Sequence, residues 1–257
     1  MRRHLSDEHE LIAAVPWPEH LWGTLSHHTI ATLDRLGVRR VSVVNRVSPH
    51  YPIANKIDCL AIESDRAGLV FVDSDMLVMR PPDLRSLRTV AIGAVPASLS
   101  PASSQDWARC YTACGLETPE ANMRTLLSDE WTRPYFNAGF VFCVAAMAGE
   151  LADEWADCAR RVRALNDLPT VLRDRFLDQI ALPIAAARLG TAITPLPVEW
   201  NFPSWGMPLA GASLPAFYHY QNMAKLMGDP ITSSTLMEFV ATDAGVGHAV
   251  LAASRTA

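Results

Sequence analysis

The sequence lacks features that would assign it to several common classes of protein. It contains no run of about 18 uninterrupted apolar residues, so we expect no transmembrane segment. Residues 1–8 are mostly polar or charged and include no apolar segment of the kind found in signal peptides. The formal net charge is −5, so we expect no extended positive charge that would attract nucleic acid. We therefore expect a cytoplasmic protein with no nucleic-acid partner, and the sequence leaves peripheral membrane contact open.

Cysteines are also few, and their spacing argues against a zinc finger. The chain has five, an odd number, and no pair has the spacing of zinc-finger ligands. We interpret all five as small buried thiols, which is typical of a reducing compartment. They are Cys59, Cys110, Cys114, Cys143 and Cys158.

The composition is that of an ordinary globular protein. Of the 257 residues, 49% are hydrophobic and 19% are charged, so the chain can bury a substantial core. This length fits one large domain or two small ones, and we predict a single domain over 1–257.

Apolar runs alternate with helical patterns, which indicates an α/β fold with a mostly parallel central sheet flanked by helices. We predict strands over 11–15, 40–47, 68–72, 90–96, 135–145 and, at a sheet edge, 192–198. We predict helices over 20–36, 53–64, 151–165, 175–188, 234–240 and 247–253. The segment 97–134 is expected to form short helices and a loop.

The most informative motif is Asp73-Ser74-Asp75, which follows the buried strand predicted over 68–72. Two carboxylates at the end of a strand can turn toward the same side, and ligands of open α/β sheets bind at such ends. Paired anionic oxygens suit Mg²⁺ or Mn²⁺ holding a diphosphate. A solvated turn with two acids has the same sequence, so the motif alone does not decide.

Four further segments hold candidate residues, and each has an ordinary structural alternative. Lys56 fits a lysine lying along the surface, Asn137 and Gly139 fit a turn or bulge, Asp178-Gln179 fits a solvated helix face, and His219 fits a core histidine. Trp200 also has an ordinary structural alternative, as a residue that packs in the core.

The order of the motifs resembles the retaining glycosyltransferases of family eight, which include glycogenin and bacterial lipopolysaccharide galactosyltransferases. The resemblance covers roughly residues 53–227 and implies the GT-A fold. It rests on Asp-x-Asp at 73–75, Asn-x-Gly at 137–139, Asp-Gln at 178–179, Leu-Pro-x-x-Trp-Asn at 196–201, and His219 followed six residues later by Lys225.

The resemblance implies a metal-dependent hexosyltransferase that uses a nucleotide-sugar donor, expected to be a UDP-sugar, and acts with retention on an unknown glycan or small-molecule acceptor. Asp73, Asp75 and His219 would ligate Mn²⁺ or Mg²⁺, and the imidazole favours Mn²⁺. Asp178 and Gln179 would act at the donor sugar. The remaining donor-binding residues would be Lys56, Ser74, Asn137, Gly139 and Lys225.

Two positions depart from the pattern of the family. Asn222 replaces a glycine of the last motif, and we expect a weakened match because Asn tolerates positive φ. Pro16-Trp17-Pro18 stands where a polar residue usually helps to hold the base, and Trp17 could stack on a base instead.

Two other functions fit parts of the sequence. A non-catalytic relative that binds a sugar nucleotide would explain the two departures. A sugar-phosphate nucleotidyltransferase would need a Gly-rich N-terminal loop, which residues 11–25 do not supply. An acceptor loop is expected within 97–134, with Trp107, Tyr111 and Trp131 as candidate platforms.

Overall fold

The computed structural model of the chain describes residues 4–5, 9–205, 214–228, 232–234 and 237. The α-helices are α1 (Glu19–Trp22), α2 (His27–Arg35), α3 (Ser104–Ala113), α4 (Ala145–Arg163), α5 (Thr170–Asp174), α6 (Leu177–Arg188) and α7 (Met223–Gly228). The strands are β1 (Ile12–Trp17), β2 (Arg39–Val44), β3 (Gly68–Val72), β4 (Met76–Val78), β5 (Ile92–Pro96), β6 (Met123–Arg124), β7 (Trp131–Thr132), β8 (Phe136–Val144), β9 (Thr194–Pro195), β10 (Phe202–Pro203) and β11 (Phe217–His219). The 3₁₀ helices are Pro52–Ala61, Leu84–Thr89 and Val198–Trp200.

The predicted α/β fold is confirmed, but the central sheet is mixed rather than mostly parallel. Its strand order is β3-β8-β5-β9, and β8 runs antiparallel to both β3 and β5. The chain leaves β5 at Pro96 and returns at Phe136, its partner in register, so β8 must run the opposite way. The β1–β2 pair is parallel, as the alternating pattern predicts.

Several predicted helices have different bounds. The helix predicted over 20–36 is divided into α1 and α2, because Gly23 has a φ of +83° and Ser26 caps a new helix by accepting the N–H of Thr29. The helix predicted over 53–64 is the 3₁₀ helix Pro52–Ala61. Pro183 lies inside α6, which continues to Arg188.

The C-terminal helices predicted over 234–240 and 247–253 lie outside the described residues, apart from positions 234 and 237. Within the described part of the chain, no helix is both long and apolar enough to span a bilayer.

The main hydrophobic core lies between the central sheet and helices α4 and α6. Four cysteines are buried, Cys59 is half-buried, and all five are free thiols.

Two of the three predicted acceptor platforms, Trp107 and Tyr111, are only 1% and 2% exposed, so they are core residues and that prediction is wrong. Trp131 is 60% exposed, and the guanidinium of Arg124 lies 4.5 Å from the centroid of its ring.

The packing between α4 and the core generates a stability prediction. Leu151 is fully buried on α4, so Leu151→Ala should lower the free energy of unfolding by about 2–5 kcal/mol through lost contacts and a cavity. Val171→Ala, at a helix position that is 46% exposed, should change it by about 0.5 kcal/mol or less. Urea denaturation measures both, and equal losses would contradict the assignment of Leu151 to the core.

Candidate functional site

Strand pairing brings the two aspartates of the Asp-Ser-Asp motif to the distant histidine. Asp73 follows β3, and its backbone N–H donates to the carbonyl oxygen of Gly139 at 2.8 Å. Asp75 precedes β4, which pairs antiparallel with β11 so that Met76 stands opposite His219. The N–H of Tyr220 then donates to the carbonyl oxygen of Asp75 at 3.1 Å. Asp75 and His219, 144 positions apart in the chain, are therefore brought together by one short strand pair.

The three side chains form a compact group of possible metal ligands. One ligand atom each from Asp73, Asp75 and His219 lie within 4.8 Å of one another. Nε2 of His219 is 3.2 Å from Oδ1 of Asp75. Both carboxylates are partly accessible, and His219 is buried. Two carboxylate oxygens and one imidazole nitrogen suit a small divalent cation, so these residues fit the group that the sequence implies.

The two carboxyl groups are in different electrostatic environments. Burial raises the pKa of Asp73 above its ordinary value, and the neighbouring ammonium of Lys56 opposes that shift only in part. Burial would also raise the pKa of Asp75, but the hydrogen bond and charge of His219 outweigh it and lower this pKa. The carboxyl group of Asp73 is therefore costly to ionise, whereas that of the neighbouring Asp75 ionises readily.

Gly139 is packed directly against two of the three possible ligands. A Cβ atom at this position would lie 2.8 Å from Cε1 of His219 and 3.0 Å from Oδ2 of Asp73. The backbone is shaped by Asn137, whose Oδ1 accepts the N–H of Gly139 at 2.9 Å beside a register shift between β5 and β8. The bulge interpretation of Asn137 and Gly139 is therefore correct, and the bulge leaves space for the ligands.

Lys56 joins one of these ligands to a second, buried acid. Its Nζ lies 3.0 Å from Oδ2 of Asp73 and 3.2 Å from Oδ2 of Asp178, and also 5.7 Å from the ring centroid of Phe71. Burial would lower the pKa of Lys56, but the charges of Asp178 and Asp73 raise it above its ordinary value. The surface-lysine interpretation is therefore wrong, and this lysine stays charged inside the protein.

Asp178 is only 2% exposed, and both of its carboxylate oxygens are occupied. The hydroxyl of Tyr51 donates to Oδ1 at 3.1 Å and accepts the backbone N–H of Asp178 at 3.2 Å, while Lys56 contacts Oδ2. Nε1 of Trp155 donates to the carbonyl oxygen of Asp178 at 2.8 Å. The start of α6 is thus fixed by Tyr51, Lys56 and Trp155, and the solvated-face interpretation of Asp178 is wrong.

Three aromatic rings from the segments around the cluster pack against one another. The ring of Phe140 lies 5.3 Å from that of Trp200 and 5.1 Å from that of Phe217, and the last two stack at 6.1 Å. Each ring is one or two residues from Gly139, Asn201 or His219. This aromatic trio therefore binds together the three segments that surround the cluster, and Trp200, 6% exposed, is a packing residue.

The structure does not bring every predicted site residue into contact with the cluster. Ser74 is exposed and Gln179 is half-buried, and neither side chain has a hydrogen-bond or ion-pair partner among the described residues. Nζ of Lys225 donates to Oε1 of Gln221 at 3.1 Å.

Asn222 has a different role from the one expected of it. Its Oδ1 accepts the N–H of Lys225 at 3.0 Å, which caps the start of α7. The positive φ of this turn, +60°, is at Gln221. Asn222 is therefore suited to its position as a helix cap, and the expectation of a positive φ there is wrong.

Sequence reasoning missed two residues that hold the site. Tyr51 and Trp155 both bond to Asp178, yet they lie 127 and 23 residues away from it and match no motif. A tyrosine before a proline and a tryptophan within an amphipathic helix are ordinary core residues, so no local signal could identify them.

Comparison with known proteins gives one family. The sequence model of the Rhodobacterales glycosyltransferase domain matches residues 1–190, about three quarters of the chain. The matched segment contains Asp73, Asp75 and Asp178, and it ends before His219. The comparison with curated proteins gave no match. The mixed α/β architecture is consistent with a glycosyltransferase of the GT-A type.

Gly139→Ala tests the packing against the ligands. The added Cβ should displace His219 and Asp73, and we expect the affinity for Mn²⁺ to fall at least about tenfold because the ligand positions no longer converge. Electron paramagnetic resonance of free Mn²⁺ measures this. Gly149→Ala is the matched control, since a Cβ there meets no atom within 4 Å. Equal affinities of all three proteins would contradict the proposed packing role.

Lys56→Met tests the buried ion pairs. Removal of the ammonium leaves Asp178 buried without its cation, and the free energy of unfolding should fall by about 3–5 kcal/mol. Urea denaturation of Lys56→Met, Asp178→Asn and the double variant gives the coupling. We expect the double variant to recover part of the loss, because no uncompensated charge remains. Strictly additive losses would show that the two side chains do not interact.

Proposed function

The chain belongs to the Rhodobacterales glycosyltransferase domain family, and we propose that it is a metal-dependent enzyme that transfers a hexose from a UDP-sugar to a glycan or small-molecule acceptor. The observation that carries the proposal is the convergence of Asp73, Asp75 and His219 on one point. The whole chain, 1–257, would act as one GT-A domain. The order of its motifs supports the narrower assignment to the retaining enzymes of family eight.

Asp73, Asp75 and His219 would hold Mn²⁺ or Mg²⁺ at the end of β3. When bound there, the cation supplies positive charge against the negative charge that develops on the leaving diphosphate. The ligands are fixed before the donor arrives, because Asp73 is held through its backbone by Gly139 and through its carboxylate by Lys56. Such preorganisation reduces the reorganisation needed during the reaction.

Lys56 adds a second fixed positive charge beside the cluster. Its pKa is raised by the two flanking carboxylates, so it remains an ammonium at neutral pH. We assign Lys56, with Ser74 and Lys225, to the donor diphosphate side of the site. Asn137 and Gly139 would line the donor sugar through the bulge that they form.

We assign Asp178 and Gln179 to the reacting face of the donor sugar. Asp178 would act chiefly by keeping Lys56 in place, because both of its carboxylate oxygens are already engaged. Gln179, which is half-buried and lies in the first turn of α6, would present its amide to the sugar.

Trp17 is the candidate platform for the nucleobase. It ends β1 and is 51% exposed, at the carboxyl end of a parallel strand pair, where open α/β sheets bind their ligands. An exposed indole offers a stacking face but no hydrogen-bond code that would select uracil. Uridine as the base is therefore the part of the proposal that rests on the motif resemblance alone.

A non-catalytic protein that binds a sugar nucleotide is the second candidate function. The observation that favours it is the burial of Asp178, which leaves no free carboxylate oxygen at the proposed reacting face. Binding with no turnover of any donor would support this candidate over the enzyme.

The decisive test is a panel of sugar nucleotides incubated with the protein and Mn²⁺, with release of the nucleoside diphosphate as the measurement. We expect turnover of at least one donor, and a loss of about a hundredfold or more in Asp75→Ala, because a metal contributes several kcal/mol to charge stabilisation.

Asp83→Ala is the matched control, since this aspartate caps a 3₁₀ helix through the N–H of Arg85 and contacts no member of the cluster. Unchanged turnover in Asp75→Ala would refute the metal assignment. Binding of Mn²⁺ and UDP without turnover would leave the non-catalytic candidate.

A further inference from the structure

Asn201 lies next to the proposed metal site but is not one of the ligands. It follows the 3₁₀ helix Val198–Trp200 and is 2% exposed. Its Oδ1 lies 3.0 Å from Nδ1 of His219, which is a hydrogen-bond distance. The other ring nitrogen, Nε2, lies 3.2 Å from Oδ1 of Asp75. The imidazole is thus held between an amide oxygen and a carboxylate.

The amide oxygen determines which ring nitrogen carries the proton. With the amide oxygen of Asn201 facing the ring, Nδ1 of His219 is the donor, because a carbonyl oxygen only accepts hydrogen bonds. In the neutral imidazole Nε2 then has no proton, and its lone pair points toward Asp75. A ring nitrogen that faces a carboxylate at 3.2 Å is stable only when positive charge lies between them, either a proton on Nε2 or a bound cation. The orientation of the ring therefore suits a cation bound by Nε2 and Asp75.

The burial of Asn201 indicates that the hydrogen bond to its amide oxygen is important at this position. Nδ2 of Asn201 has no hydrogen-bond partner among the described residues, although the atom is buried. A buried amide with an unpaired nitrogen costs free energy that an apolar side chain of the same size would not. The hydrogen bond from His219 is the one polar contact in the described chain that offsets this cost.

The aromatic trio fixes Asn201 relative to the histidine. Trp200 precedes Asn201, Phe217 lies two residues before His219, and their rings stack with an interplanar angle of 23°. The N–H of Asn201 also donates to the carbonyl oxygen of Val198 at 3.1 Å, which closes the 3₁₀ turn. The amide oxygen is therefore positioned by the core and not by a mobile surface loop.

We propose that Asn201 is a positioning residue that holds His219 in the tautomer with the proton on Nδ1, so that Nε2 is free to bind the divalent cation. This inference rests on the metal site of the proposed function. Groups that accept the hydrogen bond of the second ring nitrogen commonly orient metal-binding imidazoles in this way. Asn201 itself would touch neither the cation nor the substrate.

The opposite orientation of the Asn201 amide leads to a different prediction for the imidazole proton. If the amide of Asn201 were turned by 180°, Nδ2 would donate to Nδ1, and Nε2–H would donate to Asp75. That arrangement pairs both ring nitrogens of His219 without a cation, and it would block Nε2 as a ligand. The position of the imidazole proton in the metal-loaded protein therefore distinguishes the two.

Two substitutions of similar size test the role of the oxygen. Asn201→Asp keeps an acceptor opposite Nδ1, and Asn201→Leu removes it. We expect Mn²⁺ affinity, measured by electron paramagnetic resonance without any nucleotide, to fall about 10- to 100-fold in Asn201→Leu and to be retained in Asn201→Asp. Thr125→Val is the control, because it removes a buried hydroxyl from the hairpin of β6 and β7. Wild-type affinity in Asn201→Leu would overturn the inference.

Nitrogen-15 spectra of the histidine rings in the wild-type protein give a second readout that needs no variant to fold. With Mg²⁺ bound, we expect His219 to carry its proton on Nδ1 and the signal of Nε2 to shift on titration with Mg²⁺. A proton on Nε2 in the loaded protein would overturn the inference. Equal Mn²⁺ affinity in the wild type and Asp75→Ala would overturn the metal site itself, and thus the proposed function, which is a distinguishable result.

Discussion

The ammonium of Lys56, held between Asp73 and Asp178, is the interaction on which the rest of the site depends. It joins the 3₁₀ helix Pro52–Ala61, the end of β3 and the start of α6, three elements that are far apart in the chain. A carboxylate as buried as Asp178 is tolerated only when it is paired and hydrogen-bonded, and Lys56 and Tyr51 meet both requirements. The same ammonium positions Asp73, so the buried pair that stabilises the fold also orients a proposed metal ligand.

Close packing is the second constraint on the site. The cluster can exist because Gly139 has no side chain where His219 and Asp73 approach it, and because the aromatic trio holds the segments around it. Stability and function are thus coupled in the same few residues. In the proposed function, the acidic residues and Lys56 would provide a matched set of charges for a diphosphate and its cation, in a protein whose net charge of −5 offers no general attraction for phosphate.

The sequence predicted the strands near the site more accurately than the helices around it. β3 has the predicted bounds, because a short apolar run closed by a glycine and two acids has few other interpretations. The helix over 20–36 was wrong because its apolar spacing continues across Gly23, where a positive φ ends α1. The direction of β8 could not be predicted from the sequence either. It depends on where the chain returns to the sheet after residues 97–134 and not on any pattern within the strand.

The sequence by itself determined which residue types are available to the proposed site: two acids after a buried strand, a distant histidine, a lysine before the strand, and the order that resembles a glycosyltransferase. The residue types and their order along the chain are sufficient for that, and the family match agrees at the level of glycosyltransferase. Only the tertiary structure decided that Lys56 faces inward to Asp178, that Tyr51 and Trp155 fix that acid, and that Asn201 faces His219. These contacts join residues that are 18 to 127 positions apart in the chain. Whether such residues meet depends on how the helices and strands pack, and a local sequence pattern does not contain that information.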